Sequence, residues 1–194
     1  MQLKLYMVLL GCTPKGRHTE QHDIFFGIGN SIASLKDEMD AFWQNSGGLH
    51  IDAWREVTNV NGHSITVTSK KAEVLKSQQL FFLNLGGYKQ NEFEEFHYKM
   101  LVAAATKGDA VKAGMQTAFY KHANLPGPGA SHIDDRYGVD VDDIFKIEDI
   151  LPAAVKQQYS LQVSEQPVAG LPEDELHLGY LKWSTLEKQL RETA

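Results

Sequence analysis

The chain has a single cysteine among its 194 residues, Cys12, so no disulfide can close within it. That excludes the disulfide-stapled secreted class and fits a reducing compartment, the cytoplasm. Long hydrophobic runs are also missing: no stretch approaches the ~20 apolar residues of a membrane span, so no membrane is expected as a partner. Basic residues are scarce, with 19 Lys and Arg against 25 Asp and Glu and a formal charge of −6. Nucleic acid is therefore not expected as the main partner, since neutralising phosphates needs a clustered basic surface. What is present, 42% hydrophobic and 23% charged residues, is the composition of a globular protein with a core of its own.

One stretch imitates a targeting signal. Val8-Leu9-Leu10-Gly11-Cys12 has the look of a lipoprotein signal with Cys12 as acceptor. The apolar run is shorter than the ~7–15 residues such a signal needs, and a similar run, Leu80-Phe81-Phe82-Leu83-Asn84-Leu85-Gly86-Gly87, lies mid-chain. Both read as buried strands that end in a glycine turn.

Sliding the chain against itself exposes a repeat. With a shift of 75, Leu5 falls on Leu80, Gly11 on Gly86, Glu20 on Glu95, His22 on His97 and Ser34 on Asp109. After short slips, Ala41-Phe42-Trp43 matches Ala118-Phe119-Tyr120, and His50-Ile51-Asp52 matches His132-Ile133-Asp134. The expectation is an internal duplication of a strand–helix–helix–strand unit. Each first strand (4–10; 80–85) would lead through a loop into a helix carrying Glu-x-His near its start. Thr13-Pro14 or Thr19 would open the first of these, and the Asn91 to Glu94 capping box the second. Ile24, Phe25, Ile28 and Met100, Leu101, Ala104 have helical spacing. Gly29-Asn30 and Lys107-Gly108 interrupt the pattern, with Ser34 and Asp109 as N-caps of second helices that run to Trp43 and to near His122. Strands follow at 49–57 and from His132. Asn61-Gly62 signals a hairpin into 64–68, 159–163 and 176–183 read as further strands, and Ser184 opens a short final helix.

Several of these stretches resemble a known family: Leu9-Leu10-Gly11, Thr13-Pro14-Lys15-Gly16-Arg17-His18, Glu20-Gln21-His22-Asp23 and His50-Ile51-Asp52-Ala53-Trp54-Arg55. So do Leu85-Gly86-Gly87-Tyr88-Lys89, Phe93 to Lys99 and Ser131-His132-Ile133-Asp134-Asp135. Together they resemble a small bacterial domain-of-unknown-function family, numbered 1543, over most of the chain from the first strand to near Asp143. The resemblance implies a one- or two-copy arrangement of a short domain, and supplies no activity, cofactor or catalytic residue.

The residues support three kinds of chemistry. Lys15, Arg17 and His18, after Gly11 and opening onto a helix, form an anion pocket of cations and backbone N–H groups. The second copy has Gln90, Glu92 and Phe93 there, so only the first would bind. The repeated Glu-x-His, Glu20 with His22 and Glu95 with His97, could hold a divalent metal across the repeat or serve as paired acids and bases. His18 and His22, at i and i+4, could also chelate from one helical face. Alternatively, these histidines and glutamates are fold determinants. The pairs His50 with Asp52 and His132 with Asp134 share one strand face, where a carboxylate can orient an imidazole for base catalysis. No nucleophile accompanies them, and the alternative is a polar pair that anchors strand register. Asp134, Asp135, Asp140, Asp142 and Asp143 do not follow an EF-hand order and read as an exposed acidic loop. If the two helices of each copy fold back as a hairpin, His22 and His50, or His97 and His132, come to share one cleft.

The resulting expectation is an α/β fold, a mixed sheet with packed helices. Residues 1–69 form the first repeat, 79–148 the second and 149–194 a C-terminal addition of strands and a short helix, in one compact unit. A ferredoxin-like α+β sandwich, with each copy supplying one half, is the alternative. The expected function is binding of a small anionic ligand at the first glycine and basic loop, with turnover left open. The alternative is a non-catalytic interaction or assembly module, and an oligomer is compatible with either.

Overall fold

The structure is a computed structural model that describes residues 2–44, 46–70, 77–88, 91–117, 139–165 and 174–193. It divides into two units, residues 1–72 with 151–194 and residues 73–150. The C-terminal segment is thus part of the first unit.

In the first unit, β1 (Lys4–Cys12) pairs with β2 (Gln21–Gly29) on one side and β3 (His50–Val57) on the other. A late strand, numbered β10 here (His177–Lys182), completes a four-stranded sheet of order β10-β3-β1-β2. One face of it is apolar at every second position of β1, with Tyr6, Val8, Leu10 and Cys12 joined by Phe25 and Ile51. Leu35 and Met39, from the 3-10 turn Ala33–Leu35 and helix α1 (Lys36–Phe42), cover that face with Leu186 of the C-terminal helix (Trp183–Thr193). Full burial of a side chain the size of Phe25 contributes about 2 kcal/mol. A second sheet, β4-β5-β9, consists of Asn59–Val60, His63–Ser69 and Tyr159–Glu165. Asn61 and Gly62, with φ of 37° and 81°, make the expected tight turn between β4 and β5.

In the second unit, β6 (Gln79–Tyr88) lies between β7 (Glu95–Ala104) and β8 (Val139–Lys146), and α2 (Lys107–Gly114) closes its core through Ala110 against Phe81, Leu83, Leu85 and Val102. Two details recur at positions 75 apart. The register of the central strand slips between Leu9 and Leu10 against β3, and between Asn84 and Leu85 against β8. Ser31 accepts a hydrogen bond from the Ser34 N–H and Thr106 one from the Asp109 N–H, each at 3.2 Å. Thr106 is the N-cap of α2, so Asp109 receives the cap, and Ser34, inside the 3-10 turn, donates the matching bond to Ser31; neither is a cap itself.

The expected α/β fold with a mixed sheet is overturned. Among the described residues every strand pairing is antiparallel and falls in one of three sheets, with only short helices. The ferredoxin-like alternative fails as well, because it needs both expected repeats in one sheet, and among the described residues their strands lie in separate sheets. The error lies in the first helix expected of each repeat, which is a strand, so the order in each unit is strand–strand–helix–strand. Phe25 enters the helix-covered core, whereas Ile24, Phe26 and Ile28 alternate onto the opposite face and are buried there too. A strand buried on both faces reads as one continuous apolar run, and such a run is not told from a helix by period alone. Asn91, with φ of 66°, takes the left-handed conformation of a turn and not the extended one of an N-cap. Residues 139–143, expected within an acidic loop, belong to β8. His132, Ile133, Asp134, Asp135 and His122 lie outside the described residues.

Candidate functional site

Gly11, near the end of β1, stands in register with His22 of β2 and with His50 of β3. The three residues form one row across adjacent strands on the sheet face away from the Tyr6 and Leu10 core. A glycine between two imidazoles leaves a recess where any other residue would place a side chain. A Cβ on Gly11 would lie 2.6 Å from His50 Nε2 and 3.2 Å from His22 Cδ2, and would collide with Asp52 Oδ2. Gly11 is not among the residues with positive φ. Space, and not backbone freedom, is what the position demands.

The slip in β3 delivers the first carboxylate. Leu10 pairs with Ile51 and Leu9 with Ala53, so Asp52 is an extra, bulged residue. Bulges of this kind re-aim a side chain. On its other side β3 meets a second irregularity: Leu178 pairs with Ala53 and Leu181 with Ile51, leaving Gly179 and Tyr180 opposite Asp52, with Gly179 at φ of 116°. Tyr180 there rests its ring 4.3 Å from that of His50, tilted by 34°.

Glu20, at the end of the β1–β2 loop, supplies the second carboxylate. His22 Nε2 is 3.1 Å from Asp52 Oδ2 and 3.7 Å from Glu20 Oε2. His50 Nε2 is 3.0 Å from Glu20 Oε1 and 3.4 Å from Asp52 Oδ1. Each carboxylate therefore faces both imidazoles. His50 is only 4% exposed, and its Nδ1 lies 3.4 Å from the Gly48 carbonyl. Despite the close approaches, neither His50 Nε2 nor Asp52 Oδ2 is aligned for a hydrogen bond. Beneath the row, burial, reinforced by the Glu20 charge, pushes the Cys12 thiol up from its ordinary pKa.

Among the expected site residues, Glu20, His22, His50 and Asp52 thus come together. The cleft shared by His22 and His50 arises from strand pairing, not from a helical hairpin. Lys15, Arg17 and His18 are exposed on the loop between β1 and β2, where the Arg17 N–H donates to the Pro14 carbonyl at 3.1 Å across a turn with Gly16 at φ of 82°. No helix begins there, so a helix N-terminus contributes nothing to anion binding, and His18 and His22 share no helical face. Glu95 and His97 belong to the second unit, where His97 Nε2 is 3.9 Å from Glu95 Oε2 and Nδ1 is 3.1 Å from Asn84 Nδ2. Gly86 pairs with His97 as Gly11 does with His22. Its partner on β8 is Asp140, where β3 has His50, and Asp142 occupies the bulge position of Asp52. Sequence reasoning missed the role of Gly11 as floor of the site, although a glycine ending an otherwise apolar strand was the available signal. Nothing marked Tyr180.

Residues 17–67 match DUF1543, a Domain of Unknown Function. The DUF1543 stretch includes Glu20, His22, His50 and Asp52, and it is the family that the sequence resembles. No curated protein matches the chain. Among solved structures it is similar to the crystal structure of a protein Il1583 from Idiomarina loihiensis, with 19% identity over 93% of this chain and 97% of that one and a TM-score of 0.60. At that identity the likeness is one of fold. No helix of the described residues is long and apolar enough to cross a membrane.

Proposed function

We propose that the first unit binds a small anionic ligand at the end of β1, between the cluster of Glu20, His22, His50 and Asp52 and the basic loop that joins Cys12 to Glu20. The observation that carries this reading is the row His22–Gly11–His50, a recess with a glycine floor at which a buried imidazole nitrogen is left without a hydrogen bond. A buried polar atom without a hydrogen bond costs about 1–3 kcal/mol until a partner reaches it, and here the recess over Gly11 leaves room for one. Lys15 and Arg17, exposed on the adjoining loop, are the cations that would recognise the ligand's charge, with His18 beside them. The two units are in this reading diverged copies, as the 75-residue spacing of their register slips and of the Ser31 and Thr106 hydrogen bonds supports; the second has Asp140 at the register position of His50, and Gln90, Glu92 and Phe93 in place of Lys15, Arg17 and His18. The unpaired Cys12 agrees with a cytoplasmic location.

The test is thermal unfolding in inorganic phosphate and in succinate. A ligand present at ~100 times its dissociation constant stabilises by ~2.7 kcal/mol, a rise of several degrees. Lys15→Ala with Arg17→Ala should melt like the wild type without ligand, because exposed charges are worth little to stability, and should lose the rise. No rise in the wild type with either anion, or an equal rise in the variant, overturns the proposal.

The assembly reading retains one observation of its own. The edge strand β10 and the residue before it expose Leu176, Leu178 and Tyr180 at 59%, 77% and 63%. Sedimentation of the wild type beside Leu178→Lys tests it: that reading predicts self-association that the charge abolishes, and a monomer in both overturns it.

A further inference from the structure

We infer that Glu20, His22, His50 and Asp52 hold a divalent transition-metal ion, bound through Nε2 of both histidines and an oxygen of each carboxylate. The inference rests on the reading of this cluster as the functional site. Four observations lead to it.

The first is spacing. Zinc and its neighbours take imidazole nitrogen and carboxylate oxygen at about 2.0–2.2 Å, which sets neighbouring ligand atoms roughly 3.0–3.5 Å apart at tetrahedral or octahedral angles. Three of the four nitrogen–oxygen separations around the cluster, 3.0, 3.1 and 3.4 Å, fall in that range, and the fourth, from His22 to Glu20, is 3.7 Å. The second is direction. At these distances hydrogen bonds would be ordinary, yet His50 Nε2 and Asp52 Oδ2 are buried and make none. The atoms crowd together without being aimed at each other, as ligands of a common ion are. The third is orientation from behind. His50 Nδ1 faces the Gly48 carbonyl at 3.4 Å, and a proton held on that nitrogen leaves the Nε2 lone pair facing the recess. The fourth is charge. As ligands, two carboxylates and two neutral imidazoles would bring two negative charges, which a divalent cation cancels. An anionic ligand arriving from the basic loop would otherwise meet those charges.

Among the described residues no three such side chains yet enclose one ion position. His50 is fixed by burial and Asp52 by its bulge, so closure falls to Glu20 and His22, whose side chains are 45% and 40% exposed. Among the described residues the ligand set is found in the first unit alone, since Asp140 holds in the second the register position of His50.

Cobalt(II) added to untagged, metal-stripped protein is the probe, read by visible absorption and by equilibrium dialysis. One ion per chain with d–d bands is expected. His22→Ala, Asp52→Asn and the exposed Glu20→Gln should each weaken it at least tenfold, while His97→Ala leaves it unchanged. Circular dichroism of the metal-free variants checks folding, and Glu20→Gln keeps the test valid if the others unfold. No binding, or binding that Glu20→Gln and His97→Ala affect alike, overturns the inference. Thermal unfolding of the metal-free protein with phosphate separates this from the proposed function. A phosphate rise without cobalt binding sinks the metal and leaves the anion site, whereas cobalt binding with no phosphate rise in either form does the reverse.

Discussion

Replacing Gly11 by alanine puts one methyl group where the site has its recess. In an ordinary strand this change removes glycine's excess chain entropy and gains about 0.5–1 kcal/mol. Here the new Cβ would lie 2.6 Å from His50 Nε2 and against Asp52 Oδ2, far inside contact distance. His50 is buried and cannot swing away. Forcing a methyl group into a packed site costs about 1–3 kcal/mol, so a net loss of roughly 1–2 kcal/mol is expected by urea unfolding. A double-mutant cycle isolates the cause: in an Asp52→Ala background the loss should shrink by about 1 kcal/mol, because one of the colliding atoms is gone. Gly16→Ala is the contrasting control. Its Cβ would meet nothing within 4 Å, but its φ of 82° strains any side chain, so its cost should not depend on Asp52. If Gly11→Ala is neutral or stabilising, or its cost is the same with and without Asp52, the recess is not packed as described.

Thr106→Ala removes the side chain that accepts from the Asp109 N–H at the start of α2 and should cost about 1 kcal/mol in denaturant unfolding; no change would mean that the cap is idle. Burial raises the Glu38 carboxyl above its ordinary range, and its Oε2 has no hydrogen bond. The folded state thus holds the Glu38 proton more tightly than the unfolded one, and stability falls as pH rises from the ordinary carboxylate range through the raised value. Glu38→Gln should therefore stabilise the protein at neutral pH and do little at pH 4; a gain of equal size at both would contradict that linkage.

The parts of the fold legible in the sequence were those with local chemistry. The Asn61-Gly62 turn needs positive φ at both positions, and the short final helix expected from the Ser184 to Glu187 capping box forms as Trp183–Thr193, beginning one residue before that expected cap. The segments Gln21–Gly29 and Glu95–Ala104 were misread because their apolar residues are buried on both faces, which erases the alternation that identifies a strand. That error moved Glu20 and His22 onto a helix that does not exist. The four residues of the site were nonetheless singled out, because Glu-x-His and His-x-Asp carry chemistry wherever they sit. Their assembly was not legible: it depends on a register that places Gly11 between two histidines and on a bulge at Asp52, and both are set by contacts between strands far apart in sequence. The same holds for Tyr180, which reaches His50 only through the irregular pairing of β10.

The central claim is that Glu20, His22, His50 and Asp52 act as one site. Long-range nitrogen–proton NMR of the imidazoles, recorded for the wild type and Asp52→Asn without added ligand, tests it most directly. Because separate oxygens of Asp52 face the two rings at 3.1 and 3.4 Å, the account predicts that the Nε2 signals of His22 and His50 both move, while those of His63 and His97 stay in place. Signals of His22 and His50 that both remain unmoved, or of which only one responds, would contradict it.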